Sequence, residues 1–539
     1  MRRWNGWGDD GNHHDVNEGA RAFLEARLGT ASPPKDATMA AAIAGLPASR
    51  LQAAPGIDTG GEARLRHGVG QSFPDWVAIR TGRLPAILDG VAFPTTTDEV
   101  RGFLAHARDV GAVVLPWGGG TSVAGHLSVA GVDRPVLGLS MERMTALLDL
   151  DAAGCLATFQ AGVVGPDLEA ALNARGFTLG HYPQSFELST LGGWVATRSA
   201  GHFSKGYGRI EGLFAGGEVV NARDTLRIAP VPASAAGPDL RQVVLGSEGR
   251  LGVITSCTMK VMRQPARQAF SGCFLPNPEA GMACVREIVQ SGVDLIMARL
   301  SLTEETRTGL ALSGHGGFKA RVLDGWLGLH GVREDACLML VGAAGSPRRV
   351  RTALAETHAL VRKHGGVVIG GIAGNKWFRT RFEFPYLRNS LWERGYGIDT
   401  LETALPWAQV PQYIAAVESA IRAEFETESE KIHIFTHLSH VYPHGTSAYT
   451  TYLFRLGADP EALLERWGRA KAAACETIGR FGGTISHQHG VGRDHRAWLP
   501  AEKGPVGMSL LRSAVRAVDP EGLFDTGNLL HGDGEEVGT

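Results

Sequence analysis

Long apolar runs are missing from this 539-residue sequence, and none approaches the ~20 residues that a membrane-spanning helix needs. Cysteine is scarce as well. The six cysteines (Cys155, Cys257, Cys273, Cys284, Cys337, Cys475) stand far apart without a C-x-x-C spacing, which argues against a disulfide scaffold and a thiolate zinc site and points to a reducing compartment. No charge of one sign dominates: 53 Lys+Arg face 55 Asp+Glu and the arginines are scattered, so nucleic acid is not an expected partner. Arg2 and Arg3 have no apolar stretch behind them, so no secretory signal is expected, and Glu535 to Thr539 is not a peroxisomal address. These absences leave a soluble, cytoplasmic protein, with peripheral contact at a membrane still open.

What is abundant is glycine, 72 residues, and apolar side chains, 44% of the chain, enough for a large core. At roughly 150 residues per domain the length suggests two to four domains. Residues 1–85 mix Gly, Pro and Ala with short amphipathic pieces and predict an N-terminal helical arm. From Pro94 the pattern sharpens. Thr96-x-x-Glu99 has the form of a capping box, Val100, Phe103, Leu104 and Ala107 recur at helical spacing, and Gly111 ends the run. Ala112 to Leu115 then predicts a buried strand. Further strands are expected at 157–161, 243–245 and 252–255, and a helix opens at Gly165-Pro166 and runs to Gly176. From about Arg267 the patterns lengthen into helices at 280–290, 350–364 and 407–424, separated by short apolar runs such as 337–341, with a last helix at 507–518. The expected units are 1–85, 86–265, 266–505 and a C-terminal segment 506–539 that returns to the second unit.

Trp117-Gly118-Gly119-Gly120-Thr121-Ser122 carries too little side chain to be packing material. Consecutive glycines can turn several N–H groups into one concavity, a nest for phosphate oxygens, though a three-glycine run is as often a plain turn. Neither a Walker pattern nor a G-x-G-x-x-G fingerprint accompanies it, which disfavours a Rossmann domain. Downstream stand Pro183-x-Ser185, Ser189-Thr190-x-Gly192-Gly193-Trp194, Thr197-x-Ser199-x-Gly201 and Gly246-Ser247-Glu248-Gly249-x-Leu251-Gly252-Val253-Ile254. In order and spacing, over about 140 residues, these segments resemble the FAD-binding half of the vanillyl alcohol oxidase family. The resemblance implies an α+β protein: a PCMH-type FAD-binding domain of two α/β subdomains, an α+β cap domain and a small N-terminal helical region. It implies that Pro116, Trp117, Gly118, Gly119, Gly120, Thr121 and Ser122 cradle the pyrophosphate. Pro183, Ser185, Ser189, Thr190, Gly192, Gly193, Thr197, Ser199 and Gly201 would line flavin and phosphates, and Glu248, Gly252, Val253 and Ile254 would complete the cofactor site. Covalent members carry a histidine where Thr121 stands, so non-covalent FAD is expected.

The likeness extends from Trp4-Asn5-Gly6-Trp7-Gly8 to Asn528-Leu529-Leu530, and over that span the chain is similar to the alkyldihydroxyacetonephosphate (alkylglycerone-phosphate) synthase family. That family exchanges the acyl group of acyl-dihydroxyacetone phosphate for a fatty alcohol through a flavin adduct, in ether-lipid biosynthesis. The resemblance implies catalytic roles for Tyr449 (acid/base), His489, His487 and Arg388, and substrate contacts from Arg299, Arg388, Thr400 and Gln488. A guanidinium suits phosphate oxygens, and Tyr449 can serve as a base only where neighbours such as His489 favour its anion. Expected partners are a lipid or small phosphorylated substrate and a second copy of the chain in a homodimer.

Two departures keep alternatives open. The family's three successive histidines read His487-Gln488-His489 here, and an amide cannot carry the middle histidine's proton or charge. His437 and His444 have the spacing of a metal-binding pair in FAD-linked 2-hydroxyacid dehydrogenases, but the glutamate of that set is Gln488, and no metal is expected. The second reading is therefore an FAD-linked oxidoreductase of a 2-hydroxy acid or polyol phosphate. A third is a catalytically silent FAD-binding protein.

Overall fold

The computed structural model describes residues 2–312 and 332–530, together with 325 and 328; the end of the chain from 531, including Glu535 to Thr539, lies outside them. The N-terminal arm is helical, with helices at Glu18–Leu28, Met39–Ala44, Gly61–His67 and Phe73–Thr81. The last of these starts with a full capping box between Ser72 and Asp75 and ends on Gly82 in the left-handed region, local signals that set both its ends.

A small four-stranded sheet follows, ordered Ile57–Asp58, Gly90–Ala92, Val136–Ser140, Val113–Trp117 and parallel except at its first pair. Its inner strands are buried throughout or nearly so, as strands covered on both faces must be. The helix Thr97–Asp109 covers one face with Val100, Leu104 and Ala107, while Phe103 is half-buried at its edge. Thr96 Oγ1 accepts from Glu99 N as the sequence predicts, but Glu99 returns its bond chiefly to Thr95 N (2.7 Å), so the box is shifted by one residue.

The second sheet is antiparallel, ordered Leu147–Asp151, Leu156–Gln160, Val253–Lys260, Phe214–Val220, Thr225–Ile228. The helix Gly165–Asn173 packs on its core through Leu168 and Leu172. The strand expected at 243–245 is instead a single helical turn, Arg241–Val244. Val244 and Leu245 are buried in that core, so tertiary packing overrides the β-branched preference of the Val-Val pair.

The largest sheet is antiparallel, ordered Val367–Gly370, Arg267–Leu275, Cys337–Gly345, Met297–Ser301, Ile432–Leu438, Gly445–Arg455, Tyr396–Pro406, with Val441–Tyr442 paired on Gly445–Arg455. The helices Pro278–Gln290, Pro347–Lys363, Val410–Glu426 and Pro460–Arg480 bury apolar stripes in its core, each buried Leu, Ile or Val contributing about 1.5–3 kcal/mol. The terminal helix Leu499–Val518 is broken at Gly504. Beyond it, Leu523 and Phe524 join the core of the small sheet.

Candidate functional site

The strand Val113–Trp117 delivers the chain directly into the glycine loop. A Cβ on Gly118 would collide with Thr190 Oγ1, and one on Gly119 would collide with the carbonyl of Leu188. The left-handed φ in this loop is found at Gly120 (φ 60°). Gly119 is required by close backbone approach, Gly120 by its conformation. Loops 117–122 and 188–194 therefore press together backbone to backbone and leave a floor free of side chains, which fits a pyrophosphate.

All the residues expected to hold the cofactor line one cleft, except Gly201. Gly201 packs against the Tyr182 backbone and donates its N–H to Ser204 Oγ, which is a turn-forming task. Glu248 lines the cleft, but its carboxylate is already engaged. It accepts from Val491 N (2.5 Å) and Gly492 N (2.9 Å) and lies 3.1 Å from His126 Nε2. Its role is to tie the glycine-loop side to the His487–Gly492 turn.

The other end of the cleft is built by sheet register. On the largest sheet Tyr449 lies opposite Glu402 on one neighbouring strand and opposite His437 on the other, so all three project from the same face. The Tyr449 and His437 rings stack at 4.8 Å, and the His489 ring meets Tyr449 edge-on at 5.5 Å. Tyr449 donates its hydroxyl proton to Thr400 Oγ1 at 3.0 Å. Burial raises the phenol above its ordinary value, and burial lowers His489 to about 4. At neutral pH both are uncharged. The expectation that His489 favours a tyrosinate is thus corrected: Tyr449 is a neutral phenol beside a neutral imidazole.

Tyr449, Thr400, Arg388, Gln488 and His489 line the cleft; Arg299 and His487 are not among its lining residues. Arg388 stacks over Trp76 at 4.4 Å and donates to the Gln71 carbonyl, and burial lowers its guanidinium to about 10. Arg299 donates to Glu305 Oε1 at 2.6 Å and lies 3.2 Å from His437 Nδ1, which is itself 2.9 Å from the same carboxylate. Burial pushes the Glu305 carboxyl up, but His437 and Arg299 outweigh it and bring it to about 2. The expected phosphate ligand is therefore already neutralised by an internal partner.

His487 sits behind the cleft. Its Nε2 accepts from Arg209 Nη1 (2.6 Å) and lies 2.8 Å from the Tyr442 hydroxyl, and its Nδ1 is 3.2 Å from Glu402 Oε1. Burial alone would raise Glu402, but His487, His440 and His489 hold it below the usual carboxylate range. Among the described residues, Glu402, His440 and His487 form a group whose ligand atoms lie within 4.8 Å of one another. His487 Nδ1 and both Glu402 carboxylate oxygens are buried without a hydrogen-bond partner among the described residues. His437 and His444 do not come together. His437 is buried on Tyr449, whereas His444 is exposed at the turn beside Tyr442.

Sequence reasoning missed Glu305, Glu402, His440 and Arg209, and on the N-terminal side Trp7 and Gln71, which also line the cleft. Glu402 had a signal: it stands two residues after Thr400 and so shares a strand face with it. The others had none that spacing could supply.

Comparison with known proteins places these features in context. Residues 88–229 match the family model described as an FAD binding domain, and residues 264–529 match that of the C-terminal domain of FAD linked oxidases. An alkyldihydroxyacetonephosphate synthase of Caenorhabditis elegans is 31% identical over 88% of this chain and 81% of its own length. Its counterpart in Dictyostelium discoideum is 29% identical over 87% and 77%. A solved structure of an alkyldihydroxyacetonephosphate synthase superposes with a TM-score of 0.82 at 25% identity, covering 97% of this chain and 98% of the other.

Proposed function

The chain belongs to the alkyldihydroxyacetonephosphate synthase family, and from that premise we propose that it is an FAD-dependent enzyme replacing the acyl group of acyl-dihydroxyacetone phosphate with the alkoxy group of a long-chain fatty alcohol. The acyl group leaves with its ester oxygen as a fatty acid, the alcohol oxygen becomes the ether oxygen, and the alcohol's proton passes to the departing carboxylate. The observation that carries this reading is that Tyr449, Thr400, Arg388, Gln488 and His489 open onto the same cleft as the glycine loops.

FAD would be held by the floor formed from Gly118 to Ser122 and Ser189 to Gly193, non-covalently because Thr121 offers no ring nitrogen. When bound, it supplies an electron-poor ring that can share electrons with the substrate carbon, so that the exchange ends without net redox change. Tyr449 moves the proton at its phenolic oxygen, with Thr400 Oγ1 as the acceptor that orients the hydroxyl between turnovers. Arg388, buried and charged at neutral pH, orients the anionic headgroup. Gln488 offers both a donor and an acceptor without adding charge. The alkyl chain needs an apolar approach, and the helix Gly371–Thr380 supports one: Ile372 is 86% exposed, on a helix whose Trp377 and Phe378 pack into the cluster of Phe203 and Phe270, and such a helix suits peripheral contact with a membrane.

The test is an anaerobic incubation of the purified protein with acyl-dihydroxyacetone phosphate and an isotopically labelled fatty alcohol, followed by mass spectrometry. Labelled alkyl ether and fatty acid should appear in equal amounts with no electron acceptor added. One specific feature favours the second reading, an oxidoreductase of a hydroxy acid or polyol phosphate: the neutralised Arg299–Glu305 pair leaves less net positive charge for a phosphate. Full bleaching of the flavin by such a substrate, without ether formation, would decide for it.

A further inference from the structure

We propose that Gln71, a residue of the N-terminal arm, is a substrate-binding donor whose side-chain Nε2 hydrogen-bonds an oxygen of the phosphorylated headgroup. The inference rests on the function proposed above and assigns that site a wall from residues 2–85, which lie outside both matched family segments (88–229 and 264–529).

Gln71 is held at three points. Its backbone N–H donates to Ser122 O at 2.6 Å, fastening it to the end of the glycine loop. Gly70 makes that approach possible, since a Cβ there would lie 2.9 Å from Asp75 Oδ2 and 3.0 Å from Ser122 O. Its carbonyl accepts from Arg388 Nη1. Its side-chain Oε1 accepts from Trp76 Nε1 at 2.8 Å. An indole nitrogen can only donate, so this last bond decides which way round the carboxamide lies. The Nε2 hydrogens are left, among the described residues, with no acceptor, on a side chain that lines the cleft.

Trp7 lines the same cleft. The Asn389 side chain clamps its backbone from both sides, accepting from Trp7 N (3.1 Å) and donating to Trp7 O (2.9 Å), and its buried indole N–H has no partner among the described residues. This wall thus presents the Gln71 amide donor and the Arg388 cation. Such a set takes an oxygen-rich anion. Gln71 thus joins the end of the glycine loop, through Ser122, to Arg388, on whose charge Tyr449 acts at the substrate end of the cleft.

The experiment titrates holoenzyme with dihydroxyacetone phosphate and reads the perturbation of the flavin spectrum, in wild type, Gln71→Glu and Gln71→Met. Glu keeps an oxygen for Trp76 and replaces the donor; Met removes the amide without adding charge. The FAD dissociation constant is measured alongside by flavin fluorescence. The dissociation constant for dihydroxyacetone phosphate should rise on the order of tenfold or more in both variants, further in Gln71→Glu because its carboxylate repels the phosphate, with FAD affinity unchanged. Equal phosphate binding by wild type and both variants overturns the inference, as does a loss confined to FAD affinity, which would give the donor to the cofactor. A wild type that shows no response to dihydroxyacetone phosphate overturns the functional reading itself, and this inference with it.

Discussion

Tyr449 donates its hydroxyl hydrogen to Thr400 Oγ1 at 3.0 Å between adjacent strands of the largest sheet, while burial keeps the phenol protonated. The pair fixes the direction of the proton in the resting site. An incoming ligand meets a phenol already oriented and uncharged.

Tyr449→Phe keeps the ring that stacks on His437 and removes one oxygen. FAD content and thermal stability should be close to wild type, and turnover should fall by about 10²–10⁴-fold, the usual range for a general acid or base. Steady-state kinetics with the labelled alcohol checks this. Near-normal turnover would take Tyr449 out of the chemistry.

Gly119→Val places a branched side chain against the Leu188 carbonyl, in backbone that has little room to retreat because a Cβ on Gly118 would also collide, with Thr190 Oγ1. The two loops must separate, and the variant should purify with little FAD while retaining its far-ultraviolet circular dichroism. Full flavin content would show that the cradle tolerates a side chain.

Acid precipitation of the wild-type protein should release all of the FAD into the supernatant, since Thr121 offers no ring nitrogen for attachment. Absorbance of supernatant and pellet measures it. Flavin remaining with the chain would mean that another nucleophile is linked to it.

Glu305→Gln tests whether Arg299 reaches the substrate. With Glu305 anionic at neutral pH, its carboxylate competes with any phosphate for the guanidinium. Removing that charge should lower KM for a phosphorylated substrate several-fold with kcat little changed, by about 1 kcal/mol or less of tighter binding. A raised KM would mean that Glu305 serves to hold Arg299 in place.

Asp494 provides a pH signature of the fold. Burial raises its carboxyl from 3.8 to about 7, so between those values the folded state keeps a proton that the unfolded state releases. Stability should therefore decline as pH rises from about 4 to about 7 and then level off, with a total on the order of a few kcal/mol. Thermal melts at several pH values should show this decline in wild type and a flatter profile in Asp494→Asn. Identical profiles would remove Asp494 from the pH response.

The features legible in the sequence were those whose cause is local. The glycine loop stood out because a run of glycines has too little side chain to pack and can turn its N–H groups into one concavity. The helices at Thr97–Asp109, Pro278–Gln290 and Pro347–Lys363 showed in their apolar period and their stops, which depend on neighbours a turn away. The order of the glycine segments sufficed to identify the type of FAD domain, and with Tyr449, Arg388 and Thr400 it marked most of the cleft's lining.

Tertiary structure alone decided which charges are free. Arg299 and Glu305 stand close in sequence, but whether the guanidinium turns to its neighbour or to a ligand depends on the strand beneath it and on His437 from another strand. His487 and Glu402 meet through a crossing that spacing does not report, and Gln71 becomes a cleft residue because Ser122, Trp76 and Arg388 each hold one of its groups. A one-dimensional pattern records which side chains can ionise or donate. Burial and strand register, set by contacts between distant segments, determine which of them still has a bond left to give.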